Sequence, residues 1–291
     1  MNEMNIASTA TTDRLDKVYV LLNSLKQNKR KDTRINYHLF LQFTEKYDKK
    51  YCNEYFASLY DTDFTLVLED TAVFKKDIVT PGHSYVYYIR YLFPSYFNDL
   101  DKILYLDVDA VVVRNGIEDF WNTDVTDYYV GAVLDPTWQY CYEYRTQVAI
   151  CGIKNYFNDG IILMNLSKIR EDKKDIELKK WCLSWDETKA PRICYAQTLG
   201  NYVLKDKVKL ISSKYNNSVM ASLPVAVDWY NVCAMKEGYM KAIDSILDAV
   251  ILHFCGANKP WGNSINKKES EYPYKEIAVP IWNDLYKKYK K

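Results

Sequence analysis

Apolar and polar positions along the chain alternate between two periods. Asn5–Ala10 (NIASTA) is a short strand candidate, followed by Leu15, Val18, Leu21, Leu22 and Leu25 at helical spacing, with Asp13 expected as the helix cap. Ile35–Phe43 and Phe64–Leu68 are predicted strands with a polar, helical stretch between them. Ser84–Phe97 is predicted to be helical up to a break at Pro94. Lys102–Val113 (KILYLDVDAVVV) carries the strongest strand signal, and Tyr128–Leu134 and Phe157–Leu166 follow as strands. A charged helix is predicted over about 167–185, and Val208–Ile211 and Ala249–Phe254 close the strand set. Strands alternating with helices predict an α/β fold: a mixed, mainly parallel central sheet flanked by helices, built on a Rossmann-like nucleotide-binding unit. The Ser/Thr-rich corner after the first strand carries neither G-x-G-x-x-G nor a Walker lysine.

Composition narrows the function classes. With 39 Lys and Arg against 38 Asp and Glu over 291 residues, the chain lacks the basic excess expected of a nucleic-acid binder. It has no apolar run of about 18 residues, and its polar start does not resemble a secretory signal. Seven scattered cysteines without a C-x-x-C pair fit ordinary thiols in a reducing cytoplasm, so a cytoplasmic protein is expected. Twenty-seven tyrosines supply many rings suited to stacking on sugars.

Two constellations carry chemistry. Asp107 and Asp109 interrupt the most apolar strand, and residues two apart in a strand share a face. Two like charges at a buried strand end are costly, and a divalent cation is one remedy; a strand end reaching solvent is the other reading. His253 follows an apolar strand and precedes Gly256 and Lys259 (HFCGANKPW). A histidine there can complete a metal site begun by two aspartates, while the lysine neutralises a phosphate. Mixed carboxylate and imidazole ligation favours Mn²⁺ over Mg²⁺.

The ordered set NIASTATTDRLDKVYVLLNSL, YYIRYLFP, KILYLDVDAVV, VGAVLD, FNDGIILMNL, the YAQ stretch and HFCGANKPW resembles glycosyltransferase family 8. That family includes the bacterial lipopolysaccharide galactosyl- and glucosyltransferases and the glycogenins. The resemblance implies a GT-A fold over residues 1–263, with 264–291 a polar, basic tail. It implies a retaining, Mn²⁺-dependent transfer of glucose or galactose from a UDP-sugar to a glycan or glycoconjugate acceptor. Asp107, Asp109 and His253 would hold the metal; Lys259 and the backbone at Gly256 would hold the diphosphate. Thr9, Ala10 and Thr11 fall where uracil and ribose are received, and Val108 would offer its backbone to the ribose. Arg90 and Asn158 would meet the donor, with Asp135, Asp159 and Gln197 at the reacting face of the sugar. An amide is a poor nucleophile, which favours front-face transfer over a covalent intermediate at Gln197.

The chain departs from the family pattern at two places. Ala196 and Thr198 flank Gln197 where many members carry aspartates, and Asp159 stands where a small residue is usual, a substitution that would restore one charge. Thr11 replaces an acidic residue of the bacterial galactosyltransferases. Two rival readings remain: a nucleotide-sugar-binding protein without turnover, and a phosphatase of the haloacid-dehalogenase type, whose D-x-D also ends an apolar strand. Trp282, Leu285, Tyr286 and Tyr289 lie at roughly helical spacing among lysines. They would either lie peripherally on the inner face of the membrane or dock on the domain. A glycogenin-like self-modification of a tyrosine is a minor alternative.

Overall fold

The computed structural model describes residues 2–79, 84–135, 146, 148–185, 194–219, 246–256, 259–261 and 274–291. Cys141 and Cys233, and Ala257 and Asn258 of the last motif, lie outside the described residues. A seven-stranded sheet runs in the order β3-β2-β1-β4-β7-β6-β8. Its strands are β1 (Asn2–Thr11), β2 (Thr33–Gln42), β3 (Phe64–Asp70), β4 (Lys102–Leu106), β6 (Val130–Leu134), β7 (Phe157–Asn165) and β8 (Val208–Leu210). Pairing is parallel through β3, β2, β1 and β4 and between β6 and β8, while β7 runs antiparallel to both its neighbours. Here β5 (Ala110–Val112), β9 (Asn217–Ser218) and β10 (Ile251–His253) form a second, three-stranded sheet.

Alternation along the strands explains why both faces are covered. On β4, Ile103 and Tyr105 enter one core, while Leu104 and Leu106 enter the other. Ile162 and Met164 of β7 join the first core, and Ile161 and Leu163 join the second. The first helix, Leu15–Asn28, fills one layer with Val18, Leu21, Leu22 and Leu25, all fully buried. Helices Lys174–Leu183 and Tyr195–Leu204 and the turns of 85–96 fill the opposite layer.

Several local expectations are corrected. Asp13 sits inside a 3₁₀ turn, Thr12–Arg14, and does not cap the helix; its carboxylate accepts from Thr11 Oγ1 and from Arg14 Nε. Pro94 opens a short helix, Phe93–Tyr96, where its missing N–H costs nothing, and the preceding Tyr85–Leu92 is 3₁₀. The charged helix of 167–185 is two helices, Leu166–Glu171 and Lys174–Leu183, separated by Lys173 at φ 56°.

The largest correction concerns Lys102–Val113. It is not one strand: β4 ends at Leu106, Asp107–Asp109 form a turn closed by Ala110 N–H to Asp107 C=O (3.1 Å), and β5 continues in the other sheet. The aspartates therefore converge through a turn and not through strand periodicity. The strand order reverses direction from β1, to β2 on one side and β4 on the other, which opens a crevice beyond their carboxyl ends. Thr9–Thr11 and Asp107–Asp109 both lie at that crevice.

The C-terminal helix, Tyr274–Tyr289, packs Trp282 and Tyr289 against Val20, Val111, Leu252 and Phe254. Tyr289 is fully buried, and its hydroxyl accepts from Asn28 Nδ2 (2.9 Å).

Candidate active site

Register brings the carboxylates to one place. Leu106 pairs with Ile161, so the next residue, Asp107, donates its N–H to Gly160 C=O (2.6 Å). His253 pairs with Ala110, and the Phe254 N–H donates to Asp109 C=O (2.9 Å), which fastens β10 to the turn. Gly160 leaves room for this approach: a Cβ there would stand 2.3 Å from His253 Cε1 and 2.6 Å from Asp107 Oδ2. Gly256, at φ 93°, turns the chain after β10 so that Lys259 returns to the aspartates.

Each of the three residues has one polar atom held by the protein and one left facing the others. Asp107 Oδ1 accepts from Arg90 Nη2 (3.0 Å) and Tyr105 Oη (2.7 Å), while Oδ2 lies 3.8 Å from His253 Nε2. Asp109 Oδ2 is paired with Lys259, and Oδ1 lies 3.1 Å from His253 Nε2. His253 is 1 % exposed, and its Nδ1 is 2.9 Å from Asn216 Oδ1. Among the described residues, buried His253 Nε2 and Asp109 Oδ1 have no other hydrogen-bond partner. One ligand atom from each residue can be chosen so that all lie within 4.8 Å of one another. With Nε2 unprotonated, His253 Nε2 and Asp109 Oδ1 are two buried acceptor atoms facing each other, which is costly unless a cation joins them. The residues therefore fit a divalent metal, with mixed carboxylate and imidazole donors.

Charge is arranged to match. Burial raises the Asp109 carboxyl, but the Lys259 ammonium and the His253 ring beside it hold it well below the usual carboxylate range. Burial lowers Lys259, yet Asp109 and its hydrogen bond hold the ammonium above its ordinary value. Arg90 is 2 % exposed and stacks 4.1 Å from the Tyr105 ring centroid. Its Nη1 donates to Asp159 C=O (2.6 Å) and lies 3.5 Å from Asp159 Oδ1. Burial raises Asp159 above the ordinary value, against the opposing pull of Arg90. Among the described residues, Asp107, Asp109, Asp135 and Asp159 cluster with Arg90 and Lys259, an arrangement rich in carboxyls that suits a divalent cation.

A polar floor adjoins the cluster. Gln197 Nε2 donates to Asp135 Oδ2 (2.8 Å), and the Asp159 N–H donates to Gln197 Oε1 (3.3 Å). Asn158 Nδ2 donates to the same oxygen of Asp135 (3.2 Å), and Asn158 Oδ1 accepts from the Gly160 N–H (3.1 Å). Asp159 points the other way along β7, where Tyr91 Oη donates to its Oδ2 (2.7 Å). Thr9 Oγ1 and Tyr105 Oη lie 3.0 Å apart at the crevice; Ala10 is buried, and Thr11 and Val108 are half-buried beside it. Asp107, Asp109, His253 and Lys259 are thus brought together, with Asp135, Asn158 and Gln197 in one hydrogen-bonded group beside them, whereas Trp282, Leu285, Tyr286 and Tyr289 lie in a separate core. Sequence reasoning missed Gly160, Asn216, Tyr91 and Tyr105. Gly160, Tyr91 and Tyr105 lie inside the quoted motifs FN-x-G, YYIRYLFP and KILYLDVDAVV, whereas nothing marked Asn216. Cys255 is no nucleophile: burial pushes its thiol up to about 12.

The sheet's crevice lies at the strand-order reversal, where α/β proteins bind ligands, and it carries a carboxylate-histidine cluster beside buried basic groups. The profile of glycosyl transferase family 8 matches residues 5–264, and the chain belongs to that family. Lipopolysaccharide 1,2-glucosyltransferase of Escherichia coli is 25% identical over 276 residues, covering 92% of this chain and 75% of that one. A Haemophilus influenzae relative is 28% identical over 175 residues, 60% of this chain; the chain spans only 48% of that protein's length. Among solved structures, the galactosyltransferase LgtC in complex with donor and acceptor sugar analogues superposes with a TM-score of 0.68 at 20% identity. That match covers 99% of this chain and 97% of LgtC, and it establishes the GT-A fold. No described helix is long and apolar enough to cross a membrane.

Proposed function

We propose that the protein is a retaining hexosyltransferase that moves glucose or galactose from a UDP-sugar to a glycan acceptor, with Mn²⁺ as its cofactor, in the cytoplasm. The observation that carries this reading is the convergence of Asp107 Oδ2, Asp109 Oδ1 and His253 Nε2, each on a residue whose other polar atom is already engaged. These three atoms would hold the ion, whose chemistry when bound is to offset charge on the departing diphosphate. Lys259 and the Gly256 backbone would bind that diphosphate, the lysine turning from Asp109. Thr9, Ala10, Thr11 and Val108, at the ends of β1 and β4, would receive uracil and ribose.

Arg90, Asn158, Asp135, Asp159 and Gln197 would surround the hexose. Asp159 would bring its carboxyl to the Arg90 and Tyr91 side of the hexose, while its backbone N–H holds Gln197. Both polar atoms of the Gln197 amide are hydrogen-bonded, which supports front-face transfer in which the leaving diphosphate accepts the acceptor's proton. The E. coli relative's name supports a glycan acceptor. The aromatic face of the C-terminal helix is used in packing, so any contact with an anionic membrane would fall to the exposed Lys287, Lys288, Lys290 and Lys291.

Calorimetric titration of UDP with Mn²⁺ and then with chelator tests the reading. Binding is expected only with Mn²⁺, and Asp109→Asn should abolish it. Metal-independent binding in both proteins would contradict the site. Hexose release from UDP-glucose and UDP-galactose then separates turnover from binding alone.

A further inference from the structure

Metal binding needs His253 to present a lone pair at Nε2, so the proton of the neutral ring must sit on Nδ1. The hydrogen bonds behind His253 settle this without reference to the metal. Asp135 Oδ2 accepts from Asn158, so the Asn158 amide nitrogen must face it and the carbonyl must face away. The Gly160 backbone N–H, which can only donate, meets that carbonyl and fixes the same orientation. Asn158 Oδ1 can then take Asn216 only through its amide nitrogen (2.9 Å). Asn216 is thereby left with its carbonyl oxygen 2.9 Å from His253 Nδ1, where only an N–H satisfies it. Asn216 is 3 % exposed and Asn158 7 %, so water does not readily replace either partner.

The opposite tautomer has an attraction of its own. With the proton on Nε2, the ring would donate to Asp109 Oδ1 at 3.1 Å and occupy two ligand atoms with one internal hydrogen bond. We infer that Asn216 is a positioning residue that holds His253 in the Nδ1–H tautomer and so keeps the metal site open. The relay runs from Asp135 through Asn158 and Asn216 to His253, joining the sugar side of the pocket to the ion side. Its assignment of the proton to Nδ1 does not depend on a metal, whereas its purpose rests on the reading of the site given above.

The test uses the metal-free full chain and the isosteric Asn216→Leu and Asn216→Asp variants. The ¹⁵N shifts of both ring nitrogens of His253 are recorded at alkaline pH. Wild type is expected to show Nδ1 protonated and Nε2 bare. Asn216→Leu should move the proton toward Nε2, and Mn²⁺ affinity, measured by electron paramagnetic resonance without nucleotide, should fall about 10- to 100-fold. Asn216→Asp keeps an acceptor at Nδ1 and should retain the wild-type tautomer even if its folding temperature drops. An Nε2–H signal in wild type, or an unchanged tautomer and unchanged Mn²⁺ affinity in Asn216→Leu, would overturn the inference. Wild type with the Nδ1–H tautomer but no Mn²⁺ binding would leave the relay standing and remove the metal reading instead. Should Asn216→Leu not fold, Asn216→Asp with Nδ1 bare and the proton on Nε2 would equally defeat it.

Discussion

Gly160 shows how a residue with no side chain shapes the chemistry. It sits on β7 beneath Asp107 and His253, and any Cβ would collide with both. Gly160→Ala is expected to cost about 1–3 kcal/mol through overpacking and to spread the ligand atoms. Thermal melting should show a folded protein of lowered midpoint, and UDP titration should show loss of the Mn²⁺-dependent component. Retention of that component would mean the cluster tolerates a wider spacing. Asp107, Asp109, His253 and Lys259 were legible because charged or titratable residues interrupt apolar runs. Asn216 was not, because an asparagine in a polar stretch carries no local mark of the ring it will meet.

At the scale of elements, Asn201 fastens the helix Tyr195–Leu204 to the start of β7 with two hydrogen bonds. Asn201 accepts from the Phe157 N–H (2.7 Å) and donates to the Phe157 C=O (2.8 Å), imitating a neighbouring strand. Asn201→Ala leaves both buried backbone groups without these partners and is expected to cost about 1–3 kcal/mol, read from denaturant midpoints. Because Gln197 lies one turn earlier on the same helix, its bond to Asp135 should loosen and donor turnover should fall with stability. The strands were largely legible from alternation and β-branched content. The division of Lys102–Val113 between two sheets was not: the residues on both sides of Asp107–Asp109 favour strand equally, and no glycine or proline marks the turn. Pro94 gave the opposite difficulty, since a proline that ends a helix and one that starts a helix look alike along the chain.

In the whole molecule, the C-terminal helix supports the far side of the active site. Trp282 packs edge-on against Phe254 (5.2 Å between centroids) and lies 4.3 Å from Trp261, at either end of the segment bearing Lys259. Trp282→Ala is expected to remove about 3–5 kcal/mol of stability, measured by urea unfolding, and to weaken UDP binding by loosening Lys259. An equal loss of stability with unchanged UDP affinity would separate the helix from the site.

The sequence by itself determined the α/β class, most of the strands, the family and the kinds of ligand the site offers, because these follow from periodicity and from motifs a few residues long. Tertiary structure alone decided which oxygen of each aspartate faces the histidine, which nitrogen of His253 is left bare, and that Asp159 turns toward Arg90 and Tyr91. Those outcomes depend on strand register and on hydrogen bonds between residues far apart in the chain, where a choice of rotamer or amide orientation is made by partners that local sequence does not contain.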